Sequence, residues 1–108
     1  MKEFLSLSPF GKSVPCDKMR ALFNLHNRQI FEINKPVDIV FIGDSITEFW
    51  NVNAYFNDLG FVLNRGVGGD TTEYILARAQ ADVFQFSPKK VIYLAGINDI
   101  LNPTPNTW

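Results

Sequence analysis

Apolar and polar positions fall into blocks along the chain, and the period changes from block to block. From Met19 the residues Met19, Leu22, Phe23, Ile30 and Ile33 recur at helical spacing. This predicts an amphipathic helix over 17–33, with Asp17 as its cap and the only histidine, His26, half-buried on the apolar stripe. Asn34-Lys35-Pro36 ends it, and Val37-Asp38-Ile39-Val40-Phe41-Ile42 follows as a β-branched run closed by Gly43, the pattern of a strand buried on both faces. Residues 46–58 mix aromatic and polar positions and predict a short helix stopped by Gly60, with Phe61-Val62-Leu63 as a second strand. Asp70-Thr71-Thr72-Glu73 has the spacing of a capping box, with Asp70 as the cap, and Ile75, Ala79, Val83 and Phe86 share one face until Ser87-Pro88, so a second long helix is expected there. Lys90-Val91-Ile92-Tyr93-Leu94-Ala95 is the third strand.

Strands separated by helices and short loops favour a parallel sheet covered on both faces, because parallel neighbours need right-handed crossovers. In such a sheet the loops after the strands gather at one edge, where open α/β folds bind ligands. Each strand here is followed by a glycine-plus-polar cluster: Gly43-Asp44-Ser45-Ile46-Thr47, then Asn64-Arg65-Gly66-Val67-Gly68-Gly69-Asp70, then the loop Gly96-Ile97-Asn98-Asp99. Turn chemistry explains some glycine, asparagine and aspartate in loops, but three such clusters at one edge point to a site.

Composition narrows what the site can be. A chain of 108 residues allows one compact unit, and 46% hydrophobic residues supply a core. Lys plus Arg 10 against Asp plus Glu 11 leaves no basic balance for nucleic acid. One cysteine, Cys16, and one histidine exclude both an intramolecular disulfide and a Cys/His zinc site. The start of the chain is interrupted by Glu3 and Pro9, unlike a signal peptide, and no apolar run approaches the ~20 residues of a membrane span. A cytoplasmic protein is expected, with residues 1–16 as an arm ahead of one domain over 17–108.

The three clusters resemble the serine, glycine and asparagine blocks of the SGNH or GDSL-type hydrolases, in the same order and after successive strands. Their wording is most similar to the platelet-activating-factor acetylhydrolase-like branch. The resemblance implies a three-layer, flavodoxin-like α/β fold of strand order 2-1-3-4-5, of which this chain would hold the N-terminal part and stop after the third strand. It implies hydrolysis of small or short-chain acyl esters without a cofactor or metal. Ser45 matches the nucleophile, while Gly69 through its backbone N–H and Asn98 through its side-chain amide match the oxyanion donors, joined by the Ser45 N–H. Asp44 is expected to order the nucleophile loop. Arg65 and Asp99 receive no role.

Two features of the sequence stand against a plain carry-over. Ser45-Ile46-Thr47-Glu48 is itself a capping box, so Ser45 has a purely structural alternative. The family base, an Asp-x-x-His block, has no counterpart among the 108 residues, and His26 lies in a helix ahead of the first strand. The chain alone is therefore expected to be inactive or nearly so. With the outer neighbour of the third strand missing, self-association or pairing with a separate C-terminal fragment is expected through the Val91–Ala95 edge. Rival readings are a non-catalytic interaction fragment, a magnesium pocket of Asp44, Asp70 and Asp99, and a phosphate or dinucleotide module. For the last, Gly66-Val67-Gly68 lacks its third glycine, since position 71 is Thr71, and Gly11-Lys12-Ser13 lacks the earlier glycine, since position 6 is Ser6.

Overall fold

The computed structural model describes residues 3–101. The last residues of the sequence, where the loop after the third strand was expected to run on, lie outside the described part. Three parallel strands, β1 (Ile39–Gly43), β2 (Val62–Gly66) and β3 (Lys90–Leu94), form one sheet in the order β2-β1-β3. In register, Ile39 sits opposite Val62 on one side and Lys90 on the other, and Gly43 opposite Gly66 and Leu94. β1 is central and all five of its residues are buried, as its unbroken apolar run requires.

Successive side chains of β1 point to opposite faces. Val40 and Ile42 pack with Leu63, Ile30 of α1 (Arg20–Ile33) and Ile75 of α4 (Thr72–Asp82). Ile39 and Phe41 pack with Val62 and with Val52 of α3 (Val52–Phe56), where Phe41, Trp50 and Phe56 form a ring cluster with centroids 5.3 Å apart. The result is three layers, helix on sheet on helix. No helix among the described residues is long and apolar enough to cross a membrane.

Several boundaries differ from the pattern. The helix expected over 46–58 is three pieces: α2 (Ser45–Glu48), α3, and a 3-10 turn over Asn57–Leu59. Asn51 restarts the chain as an N-cap, its side chain accepting from the Ala54 N–H. The cluster after β3 is not all loop, because Ile97–Leu101 forms a short helix, α5. Asp17 does not cap α1; its carboxylate accepts the Phe10 and Gly11 N–H groups at 2.8 and 2.7 Å and ties down the arm. The arm is further fixed by Leu7 pairing with Asn24 and Leu5 with Gln85. His26 is exposed rather than half-buried.

β3 is exposed along its whole length, from Val91 at 37% to Tyr93 at 52%, and among the described residues it pairs only with β1. An apolar strand with unpaired backbone groups on one side is a template for another strand. Concentrated solutions of this chain are expected to associate through β3, seen as a sedimentation coefficient that rises with concentration. A concentration-independent monomer would count against it, as would association unaffected by a lysine placed at Ile92.

Candidate active site

The loop that carries Ser45 begins where β1 meets a crowded edge. Asp44 is the N-cap of α2: its carboxylate accepts the Ile46 N–H at 3.0 Å, and it is 1% exposed. Ser45 is thus the first helical residue and not the cap, so the structural alternative for it is already filled by its neighbour. Nor does Glu48 close a capping box. It reaches across to accept the Gly68 N–H and pairs with Lys18 at 3.6 Å. Ser45 is half-buried, and among the described residues its hydroxyl and its N–H have no hydrogen-bond partner.

The glycine block lies against this helix. A Cβ placed on Gly68 would stand 3.6 Å from the Ser45 Cβ, which puts the block beside the candidate nucleophile. Val67 donates to the Gly43 carbonyl at 2.9 Å and Asp70 to the Val67 carbonyl at 3.1 Å. Gly69 between them has φ +82°, a left-handed conformation that side chains disfavour. It is exposed and its N–H donates to no described group. Asn64 secures the approach: its amide donates to the Thr47 and Trp50 carbonyls at 2.8 and 3.1 Å, while its carbonyl accepts the Gly66 N–H at 2.9 Å.

The asparagine block closes the third side. Asn98 donates through Nδ2 to the Asp70 carbonyl at 3.0 Å, adjacent to Gly69, and a primary amide has a second hydrogen to offer. Asp99, for which the sequence suggested no role, caps α4. It accepts the Thr72 N–H at 3.0 Å and also the Thr72 hydroxyl. This replaces the expectation that Asp70 is the cap. The N-cap position is Thr71, without a side-chain cap bond, and Asp70 is drawn into the interior, where Arg78 donates to it from Nε at 2.8 Å. Burial raises the Asp70 carboxyl above its ordinary range, with the Arg78 charge opposing.

Arg65, also without an expected role, is buried and donates from Nε and Nη2 to the Asn27 carbonyl at 3.2 and 2.8 Å. It belongs to a buried polar core under the glycine block, made of Arg20, Arg65, Arg78, Asn27, Asp70 and Asp82. Asp82 accepts from both Arg20 terminal nitrogens, from Asn27 at 2.9 Å and from Arg78 at 3.2 Å. The Phe23 ring lies among the Arg20, Arg65 and Arg78 guanidiniums at 5.9, 5.0 and 5.8 Å. Cys16 borders this core and its thiol is pushed up to about 12, by burial first and then by Asp70, which leaves it unreactive as a nucleophile.

The structure therefore brings Ser45, Gly69 and Asn98 to one end of the sheet. His26 is on α1, outside these three loops. Asp44, Asp70 and Asp99 are each engaged separately, with Ile46, Arg78 and Thr72, and no group of three or more His, Cys, Asp or Glu that could hold a metal ion occurs among the described residues. Sequence reasoning missed Glu48, Arg78 and Asp82. The one available signal was Arg78 and Asp82 spaced i, i+4 beside Ile75 on the buried face of α4.

Comparison with known proteins places the chain in a family. Residues 41–107 match the model of the GDSL-like Lipase/Acylhydrolase family. The rat platelet-activating factor acetylhydrolase IB subunit alpha2 is 30% identical over 79 residues, 68% of this chain and 34% of that protein. The bovine subunit alpha1 is 28% identical over 100 residues, 85% of this chain and 43% of that protein. A solved Streptococcus pneumonia protein, provisionally described as a platelet activating factor, superposes with a TM-score of 0.64 at 29% identity, covering 82% of this chain and 42% of that one. The chain thus spans less than half the length of each of these relatives.

Proposed function

The chain belongs to the GDSL-like lipase/acylhydrolase family, and from that premise we propose that it carries the nucleophile and oxyanion site of a serine hydrolase acting on small or short-chain acyl esters. The observation that carries this reading is the meeting, at one strand edge, of a half-buried serine with the Gly69 N–H and the Asn98 amide, the serine hydroxyl and the Gly69 N–H having no partner among the described residues. Ester hydrolysis needs those parts. The Ser45 oxygen attacks the acyl carbon, the carbonyl oxygen takes the negative charge, and the Gly69 and Ser45 N–H groups with the second Asn98 hydrogen stabilise it. Collapse expels the alcohol and leaves an acyl-serine for water to cleave.

The serine proton needs an acceptor, and the sequence holds no Asp-x-x-His. Alone, the chain is expected to keep at most the roughly 10³ to 10⁴-fold acceleration over water that remains when a triad loses a member. Joined to the remaining length of the pneumococcal relative, it is expected to hydrolyse p-nitrophenyl acetate, and Ser45→Ala in that chimaera to lower turnover by about 10⁴-fold or more. The reading fails if Ser45→Ala leaves an active chimaera unchanged. The expected inactivity of the chain fails if it turns over as fast by itself.

A further inference from the structure

One buried side chain touches both the nucleophile strand and the glycine block. Arg78 is fully buried on α4, and its guanidinium donates in three directions. Nε goes to Asp70 at 2.8 Å, Nη2 to the Gly43 carbonyl at 3.3 Å and Nη1 to Asp82 at 3.2 Å. Gly43 is the last residue of β1, two positions before Ser45, and Asp70 directly follows Gly69. The Asp70 carbonyl in turn holds Asn98. All three blocks are therefore connected, through short covalent and hydrogen-bonded paths, to one planar group whose far side is anchored on Asp82, itself held by Arg20.

We propose that Arg78 is a positioning residue: its guanidinium fixes the Gly69–Asp70 peptide, and through it Asn98, relative to the end of β1 that carries Ser45. Three features argue for placement over general support. The fork is rigid, so its donors fix directions as well as distances, which a lysine cannot do. Arg78 and Asp70 are both fully buried and meet at 2.8 Å, so this charge-assisted bond is directional and unscreened by solvent. The other two guanidiniums of the polar core do not join the blocks in this way: Arg20 contacts Asp82 and Asn24, on α4 and on its own helix, and Arg65 bonds Asn27 and the carbonyl of its neighbour Asn64. The consequence for ester hydrolysis rests on the proposed role of Gly69, whereas the mechanical coupling does not.

Hydrogen–deuterium exchange of the 108-residue chain, followed by mass spectrometry on peptides, separates the two. Arg78→Lys keeps the charge and loses the fork; it is expected to speed exchange over 67–72 by about tenfold relative to the β1 amides, through local opening. Arg20→Lys removes a guanidinium from the same core and is expected to raise exchange over 67–72 no more than over β1. The proposal is overturned if both variants raise exchange in the same proportions everywhere, or if Arg78→Lys leaves 67–72 at the native rate. Should Arg78→Lys fail to fold, Asp70→Asn, which keeps the carbonyl and an acceptor, carries the same expectation. Ester turnover in the chimaera tests the hydrolase reading independently of this outcome.

Discussion

Asp82→Ala is expected to cost about 3–5 kcal/mol of folding stability, a large part of the roughly 5–15 kcal/mol that a domain of this size possesses. Asp82 accepts from Arg20 twice, from Asn27 and from Arg78, and every one of these side chains is at most 1% exposed. Removing the carboxylate leaves the Arg20, Arg65 and Arg78 guanidiniums around Phe23 with Asp70 as the one remaining carboxylate in the core. Water cannot reach the orphaned donors, so the loss exceeds that of any single hydrogen bond. The control is Glu32→Ala, which breaks the Arg28–Glu32 pair at 3.7 Å on the outer face of α1, where both partners are more than half exposed. That variant is expected to leave the urea midpoint where it was, because solvent already screens the pair. Equal midpoints for Asp82→Ala and Glu32→Ala would show that the core does not act as a charge network.

The second large effect comes from a place with no room. A Cβ on Gly66 would sit 2.2 Å from the Glu48 nitrogen and 2.7 Å from both the Glu48 Cα and the Thr47 carbonyl carbon. All three are backbone atoms, so no side chain can swing away. Gly66→Ala therefore pushes α2 off the end of β2, and α2 begins with Ser45. The expected loss is about 3 kcal/mol, the upper part of the usual range for overpacking. Activity in the chimaera should fall further than stability, because a displacement near 1 Å in a site costs on the order of a hundredfold in rate. Gly11→Ala reports the other penalty, backbone strain, by itself, since a Cβ there meets nothing within 4 Å while the backbone has φ +149°. If Gly66→Ala unfolds at the same temperature as the parent chain, the close approach of α2 and β2 is not what holds the loop.

β1 was legible because burial on both faces leaves an unbroken apolar run, Ile39-Val40-Phe41-Ile42. The three loop clusters were legible because parallel strands deliver their ends to one edge. The stripe of α1 was misread for a physical reason. Apolar periodicity selects Leu22 and Ile33, which are 42% and 62% exposed, while the face turned inward is Arg20, Phe23, Asn27 and Ile30. Half of that face is polar, so a pattern that equates buried with apolar cannot find it. His26 was misplaced by the same error. The capping boxes at Ser45 and Asp70 failed differently: spacing identified candidate caps, but Asp44 and Asp99 reached the free N–H groups. The separation of 27 positions from Thr72 to Asp99 hides that second contact from any local reading.

The strand order has a consequence for the time course of folding. Among the described strands β1 comes first in sequence and is the one with two neighbours, and Ile39 finds its partners at Val62 and at Lys90. Neither pairing is local, and closing long loops before contacts form is what slows parallel sheets. During synthesis β1 must therefore wait with one edge unpaired, even beside β2, until β3 has emerged. That interval, rather than the finished fold, is when this chain is most exposed to misassembly.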